Sequence, residues 1–341
     1  MAPPAPSEPA VLAVDGGASK TDLLLVSAAG AVLGQARVGA SNHQLVGLDG
    51  ALEALTEGVA AVRADAGLGA GSPVCPVGVY CLAGIDLPVD EEKLTPAIEA
   101  HGWTARVILR NDTFAVARAG TTGTWGIGVV CGTGMNCAAT GPDGRTVRFP
   151  ALAELSGDFA PGGSWLGLRA LGLALRAGDG RGAPTTLADL VPAHFGAADP
   201  EAVLTGIYTG SIPYAGLFDL ARVLLDAAAA GDPEARAAAD TLADEVVAFV
   251  RAAVARLDVA DEVVEVVLGG GIFETADQTF HARVTSGIRE AAPKAALVRL
   301  DVPPVLGAAL LGLDDIGAPS PAQFAVREAL ATSTANETTS G

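Results

Sequence analysis

The residues of this chain that could do chemistry gather in three glycine-rich stretches and at one isolated acid. The first stretch, Asp15-Gly16-Gly17-Ala18-Ser19-Lys20-Thr21, follows the apolar run Val11–Val14. The second, Cys131-Gly132-Thr133-Gly134, follows WGIGVV, and the third, Gly269-Gly270-Gly271, follows VVEVVL. Glycine lets backbone N–H groups turn toward an anion, hydroxyls add donors, and a lysine adds a point charge. That is phosphate-binding chemistry. It is not the nucleotide P-loop, because Ser19 stands before Lys20 where that pattern needs glycine, and Leu23–Val26 reads as a strand rather than a helix. Asp-Gly-Gly is also ordinary hairpin-turn chemistry, so the first stretch alone leaves both readings open. The acid is Asp112, placed directly after the apolar run RVILR. A carboxylate there can orient a hydroxyl and accept its proton, and aspartate is equally a favoured helix cap.

Hydrophobic patterning shows which elements must position these groups. Val11–Val14, Leu23–Ser27 and Ala31–Ala36 read as three antiparallel strands, with Asp15-Gly16-Gly17 as the first turn. A helix over Gly50–Ala66, a strand over Val74–Leu82, a helix over Glu91–His101, a strand over Arg106–Arg110 and a helix over Thr113–Ala119 follow. The pattern then restarts. Trp125–Val130, Met135–Thr140 and Thr146–Phe149 form a second strand–turn–strand–turn–strand unit. Helices fill Gly167–Leu257, followed by strands Val263–Leu268 and Ala296–Leu300, a helix Thr279–Ala291 between them, and a last helix Val305–Leu313. Two halves of like architecture offer two glycine hairpins to one cleft.

Bulk properties narrow the function classes. The chain has 341 residues, half of them apolar, and a net charge of −18. An acidic chain opposes nucleic acid or an anionic membrane as partner. No run is long and apolar enough to span a bilayer. MAPPAPSEPA has none of the features of a targeting peptide. Cys75, Cys81, Cys131 and Cys137 lack zinc-like spacing and fit reduced, buried thiols, so a cytoplasmic home is expected. Residues 1–10 are expected to be disordered, and the Ser/Thr/Ala-rich tail 318–341 is expected to fray.

The three stretches, in this order and at this spacing, resemble the actin-like ATPase superfamily, and within it N-acetylglucosamine kinases and the related BadF/BadG-type ATPases. The resemblance covers about Val11 to Leu313. It implies a two-lobed α/β actin-like ATPase (ribonuclease H-like) fold, each lobe opening with a three-stranded antiparallel unit followed by α/β units. The lobes are expected over residues 11–120 and 121–304, the second with a helical insertion, and the helix at 305–317 packing back on the first. The cofactors implied are ATP and Mg²⁺. Asp15, Gly16, Gly17, Ser19, Lys20, Thr21, Gly132, Thr133 and Gly134 align with the phosphate motifs, and Asp15 with the residue that orients Mg²⁺ through its waters. Gly269, Gly270 and Gly271 align with the adenosine motif, and Gly307 lies on the helix that approaches the nucleotide, where close helix packing is the other reading. Asp112 aligns with the catalytic base. Asn42, His43, Met135, Asn136 and Asp158 align with sugar-contacting positions, although Met135 replaces a common serine and Phe159-Ala160-Pro161 departs from the usual pattern after Gly157-Asp158. The implied activity is phosphorylation of the 6-hydroxyl of N-acetylglucosamine or glucosamine, in a homodimer. The resemblance also admits an ATPase that energises a partner enzyme and a non-catalytic sugar sensor.

Overall fold

The computed structural model describes residues 7–69, 71 and 73–338. It holds two five-stranded sheets of one topology. In the N-terminal lobe, β1 (Pro9–Gly16), β2 (Thr21–Ser27) and β3 (Val32–Val38) run antiparallel. After α1 (His43–Asp65), β4 (Cys75–Leu82) joins β1 in parallel. After α2 (Pro88–Ala100), β5 (Thr104–Asn111) joins β4, giving the order β3-β2-β1-β4-β5. Helix α3 (Asp112–Gly120) leads to the second lobe. There β6 (Gly126–Cys131), β7 (Met135–Thr140) and β8 (Thr146–Arg148) repeat the antiparallel unit.

Helices α4 (Gly163–Asp179), α5 (Leu187–Phe195), α6 (Pro200–Thr209), α7 (Leu220–Ala229) and α8 (Pro233–Leu257) intervene before β9 (Glu265–Gly269). Helix α9 (Gln278–Ala291) and β10 (Ala296–Arg299) complete the sheet β8-β7-β6-β9-β10, the same order as the first. Helices α10 (Val305–Asp315) and α11 (Ser320–Thr338) follow.

Strand alternation divides β1 between two cores. Val11 and Ala13 pack with Val305, Ala309 and Leu313 of α10, and Leu12 and Val14 pack with Leu55 and Val59 of α1 and with Leu94 and Ile98 of α2. A central strand buried on both faces must be apolar throughout, and Ala10–Val14 is. In the second lobe Ile127, Val129, Cys131, Met135, Cys137 and Ala139 face the helical segment α4–α9. The other face of β6 lies on α3. A Cβ at Gly128 would come within 2.8 Å of the Ala117 backbone, so only glycine admits this approach. Helix α3 thus lies between the sheets, with α10 beside it. Gly307 is the contact point, since a Cβ there would collide with the Ala115 carbonyl oxygen.

Three boundary expectations are corrected. Strand β1 starts at Pro9, inside the stretch expected to be disordered, because Ala10 is fully buried. Helix α1 starts at His43 rather than Gly50; Asn42 caps it, and Gly47, at φ 75°, interrupts an otherwise continuous helix. The tail is helix rather than frayed coil from Ser320 to Thr338, because Ala322, Val326 and Leu330 recur on one face and are buried. Residues 1–6 and 339–341, parts of the two expected disordered ends, lie outside the described residues.

Candidate active site

The glycine loops and the acids Asp86 and Asp112 sit past the carboxyl ends of β1, β4, β5, β6 and β9, where open α/β sheets bind ligands. Strand β1 ends in the loop Gly17–Lys20, β4 leads to Asp86, and β5 runs into Asp112. In the other lobe β6 ends in Gly132–Gly134, and β9 in Gly270-Gly271.

The first loop is a tight hairpin closed by the Gly17 N–H, which donates to the Lys20 carbonyl at 2.8 Å. Its Gly17 carbonyl accepts from the Ser41 and Asn42 N–H groups, each at 3.2 Å, and so holds the Asn42-His43 corner beside the hairpin. Gly16 has no room for a Cβ against Ser41 Oγ. Within this loop the side chains divide. Ser19 is exposed; Thr21 is buried, its hydroxyl bonded to Ser41 Oγ and the Gly39 carbonyl. Lys20 pairs with Asp22 at 3.0 Å.

The second loop is backed by the start of α4. Gly163 N–H donates to the Gly132 carbonyl and Ser164 N–H to the Thr133 carbonyl, both at 2.8 Å. Gly270, at φ 100°, presses on Cys131, so the third glycine stretch abuts the second. A Cβ on Gly132, Gly134 or Gly271 would meet nothing within 4 Å, so these backbones border open space. Gly269 and Gly307 are instead buried in packing contacts, against Val116 and Ala115.

Across this cleft the carboxylates converge. Burial, then the neighbouring Asp112, push the Asp15 carboxyl up to about 8. Burial and Asp86 push Asp112 up to about 6, against the lowering effect of the Thr113 and Asp112 N–H groups at the start of α3. Asn111 provides the cap, its Oδ1 accepting from Thr113 N–H at 3.0 Å. Two carboxylates that resist ionising together suit a cation held between them, which would let both carry charge. Among the described residues no three His, Cys, Asp or Glu side chains form a cage for direct ligation. The pair therefore fits a hydrated Mg²⁺, which keeps several of its waters.

Asp86, which patterning did not single out, organises the floor. Asn111 Nδ2 donates to its Oδ1 at 3.1 Å, and Gln44 Nε2 to its Oδ2 at 3.0 Å. Asn136, from the other lobe, donates to Asp86 Oδ1 at 3.4 Å and to Asn111 Oδ1 at 3.3 Å. Burial raises the Asp86 carboxyl, and the Gln44 bond partly offsets this. A second bridge between lobes joins Arg148 to Glu91 at 2.6 Å. The structure thus brings Asp15, Asn42, His43, Asp112 and Asn136 around one cleft.

It does not bring Met135 there. Met135 lies on the opposite face of β7 from Asn136 and is buried in the core of the second lobe. Asp158 is buried on a turn after the short helical stretch Ala153–Ser156; its Oδ2 accepts from Ser156 Oγ at 2.9 Å, with Glu154 and Glu245 as charged neighbours. No motif marks Asp86 in the sequence: it lies four residues past β4, on the turn Ala83-Gly84-Ile85-Asp86, whereas Asp112 follows β5 directly.

This chain matches the model of the BadF/BadG/BcrA/BcrD ATPase family over residues 12–312. It belongs to that family. A curated relative and a solved structure carry amino-sugar-kinase names. An N-acetylmuramic acid/N-acetylglucosamine kinase of Clostridium acetobutylicum is 25% identical over 270 residues, 79% of this chain and 87% of that protein. A Chromobacterium violaceum protein provisionally named an N-acetylglucosamine kinase superposes with a TM-score of 0.69 at 30% identity, over 90% of this chain and all of that one. A glucokinase of the ROK family from Streptomyces griseus, solved with glucose and AMPPNP, shares the fold with a TM-score of 0.51 at 16% identity, over 90% of this chain and 98% of that one. The fold is the two-lobed sugar-kinase form of the actin-like ATPases, and membership of this family implies the use of ATP.

Proposed function

We propose that this BadF/BadG-family protein is an amino-sugar kinase that transfers the γ-phosphate of Mg·ATP to the 6-hydroxyl of N-acetylglucosamine or glucosamine. The observation that carries the reading is Asp112. It stands at the carboxyl end of β5, at the first turn of α3, with its carboxyl raised to about 6. A general base works best when its pKa lies near the working pH. Its oxygen would orient the acceptor hydroxyl and take the proton as the new phosphate ester forms. ATP with Mg²⁺ supplies the phosphoryl group and the charge that offsets it.

The residues around Asp112 support distinct roles. Backbone groups of Gly16, Gly17, Gly132, Thr133 and Gly134, with the Ser19 and Thr133 hydroxyls, would hold the phosphates. Lys20 would exchange its bond to Asp22 for a phosphate, and Asp15 would orient the hydrated Mg²⁺. Gly270 and Gly271 would border the adenosine. Asn42, His43, Asn136 and Asp158 would hold the sugar. The names of the Clostridium and Chromobacterium relatives point to the same acceptor class. The thiols are buried, with Cys75 and Cys131 pushed up to about 12 by burial, which favours this reading over a partner-driving ATPase with a thiolate-held cluster. A homodimer belongs to the same reading; Leu204, Tyr208 and Tyr214, exposed on the helical segment, offer it an apolar surface.

The test is ADP release from Mg·ATP, coupled to a reporter, with N-acetylglucosamine, glucosamine, N-acetylmannosamine, glucose or no sugar. Release stimulated by an amino sugar and lost in Asp112→Asn is the expected result. Release equal with and without every sugar would sink the proposal for these sugars and turn the search to a protein partner or a rarer sugar.

A further inference from the structure

His43 and Asp90 form a dyad on the cleft wall whose polarity is fixed by the protein. His43 Nε2 lies 3.2 Å from Asp90 Oδ1. The second oxygen of Asp90 is held independently. Its Oδ2 accepts from the Asp86 N–H at 3.1 Å and the Leu87 N–H at 2.8 Å, the closing bonds at the start of α2. Asp90 is buried and cannot swing away without losing both. The other ring nitrogen of His43, Nδ1, is buried and has no hydrogen-bond partner among the described residues. The next residue, Gln44, reaches the Gly84 carbonyl and Asp86, so the ring stands beside the Asp86–Asn111–Asn136 floor.

An ionised carboxylate only accepts hydrogen bonds, so the nitrogen facing it must carry the proton. We propose that Asp90 is a positioning residue that holds His43 as its Nε2–H tautomer, leaving Nδ1 as a buried lone pair, unpartnered among the described residues, whose partner is a hydroxyl O–H of the bound sugar. A buried acceptor without a partner is costly to leave so, and a ligand donor removes that cost. The wall at His43 therefore discriminates by polarity: it takes a donor and opposes a group that can only accept. The ligand half of this inference rests on the sugar reading given above. The tautomer half does not.

The substitution that separates them is Asp90→Asn. Its amide oxygen can still accept from the Asp86 and Leu87 N–H groups. Its NH₂ would then face His43 and donate, moving the ring proton to Nδ1 and inverting the site's polarity. The experiment is long-range ¹H–¹⁵N correlation on ¹⁵N-histidine protein at about pH 8, with the four histidines assigned by His43→Gln; the pH lies above the usual histidine range. In the wild-type protein we expect a protonated Nε2 and an unprotonated Nδ1 at His43, and the reverse in Asp90→Asn. Titrating in N-acetylglucosamine should shift the wild-type Nδ1 resonance. Asp90→Asn should raise KM for the sugar by about tenfold or more, with kcat changed far less.

A wild-type His43 protonated on Nδ1, alone or on both nitrogens, would overturn the inference whether or not Asp90→Asn folds. So would an unchanged tautomer in a folded Asp90→Asn variant, or sugar binding seen by calorimetry that leaves Nδ1 unmoved. Absence of any sugar binding by calorimetry would count against the kinase reading instead, with the tautomer still read in the ligand-free protein.

Discussion

At the scale of single residues, the site is set by the difficulty of ionising Asp15 and Asp112 together. Both carboxyls lie above the ordinary value of about 3.9, at about 8 and about 6. Two consequences follow with opposite readouts. As the general base of the proposed reaction, Asp112 must be ionised, so kcat/KM for the sugar should rise with pH through about 6 and then level. Asp112→Asn should lower kcat by about 10²–10⁴-fold while calorimetry still detects sugar binding. For stability, a raised carboxyl takes up its proton in the folded state and must give it up as pH rises. The ligand-free protein should therefore hold this contribution at pH 4 and lose it by pH 8–9, through the folded values of about 6 and about 8. Thermal melts across that range should show a falling Tm, flattened at its upper end by Asp15→Asn and by added Mg²⁺. A Tm that climbs through this window would contradict the arrangement.

At the scale of elements, glycines divide into those that pack and those that border space, and the two kinds should respond differently. Gly307 carries α10 onto the backbone of α3. Gly307→Ala should cost about 1–3 kcal/mol of stability by overpacking, seen as a lower denaturation midpoint. Gly271 has nothing within 4 Å of a built Cβ, so Gly271→Ala should leave the midpoint within about 0.5 kcal/mol and act, if at all, on nucleotide affinity.

The same distinction marks what the sequence made legible. A strand such as Val11–Val14 could be read because both of its faces are buried, which forces an unbroken apolar run. Asp112 could be read because it abuts such a strand. Asp86 could not: its partners Asn111 and Asn136 lie 25 and 50 residues away and only the folded lobes bring them together. Met135 and Asn136 are adjacent in sequence, and the two-residue period of β7 sends them to opposite faces. The start of α1 was hidden by Gly47, whose left-handed conformation interrupts the helical pattern. Helix α11 was hidden by composition, because Ser, Thr and Ala outnumber the apolar side chains, such as Val326 and Leu330, that anchor it.

At the scale of the whole molecule, α11 ties the end of the chain to the junction between the lobes. Arg327 donates to the Ala119 carbonyl at 2.7 Å and the Thr121 carbonyl at 2.6 Å, where α3 ends. Arg118, buried in the same place, pairs with Asp314 at 2.7 Å and donates to Gln323 at 2.9 Å. Deleting residues 320–341 should strip the bonds of Arg327 and Gln323, leave the Arg118–Asp314 pair, and uncover the apolar face of α10. The expected result is a markedly lower Tm. Arg327→Ala should give a smaller loss, about 1–3 kcal/mol, by removing its bonds to the Ala119 and Thr121 carbonyls. If both variants melt with the wild type, α11 contributes nothing to the fold.

The chain passes between the lobes twice, from α3 into β6 and from β10 into α10; α10 starts against Ala115 and ends against Arg118, so the passages lie toward opposite ends of the packed pair α3–α10. Two anchored straps leave neighbouring bodies far less freedom than one. Sliding and twisting would stretch one strap against the other, and the motion left is a swing about the line joining them. The opening and shutting of the cleft is then a movement with a single degree of freedom. A spin-label pair placed across the mouth would report it as one distance moving along one path, rather than as a broad scatter of orientations.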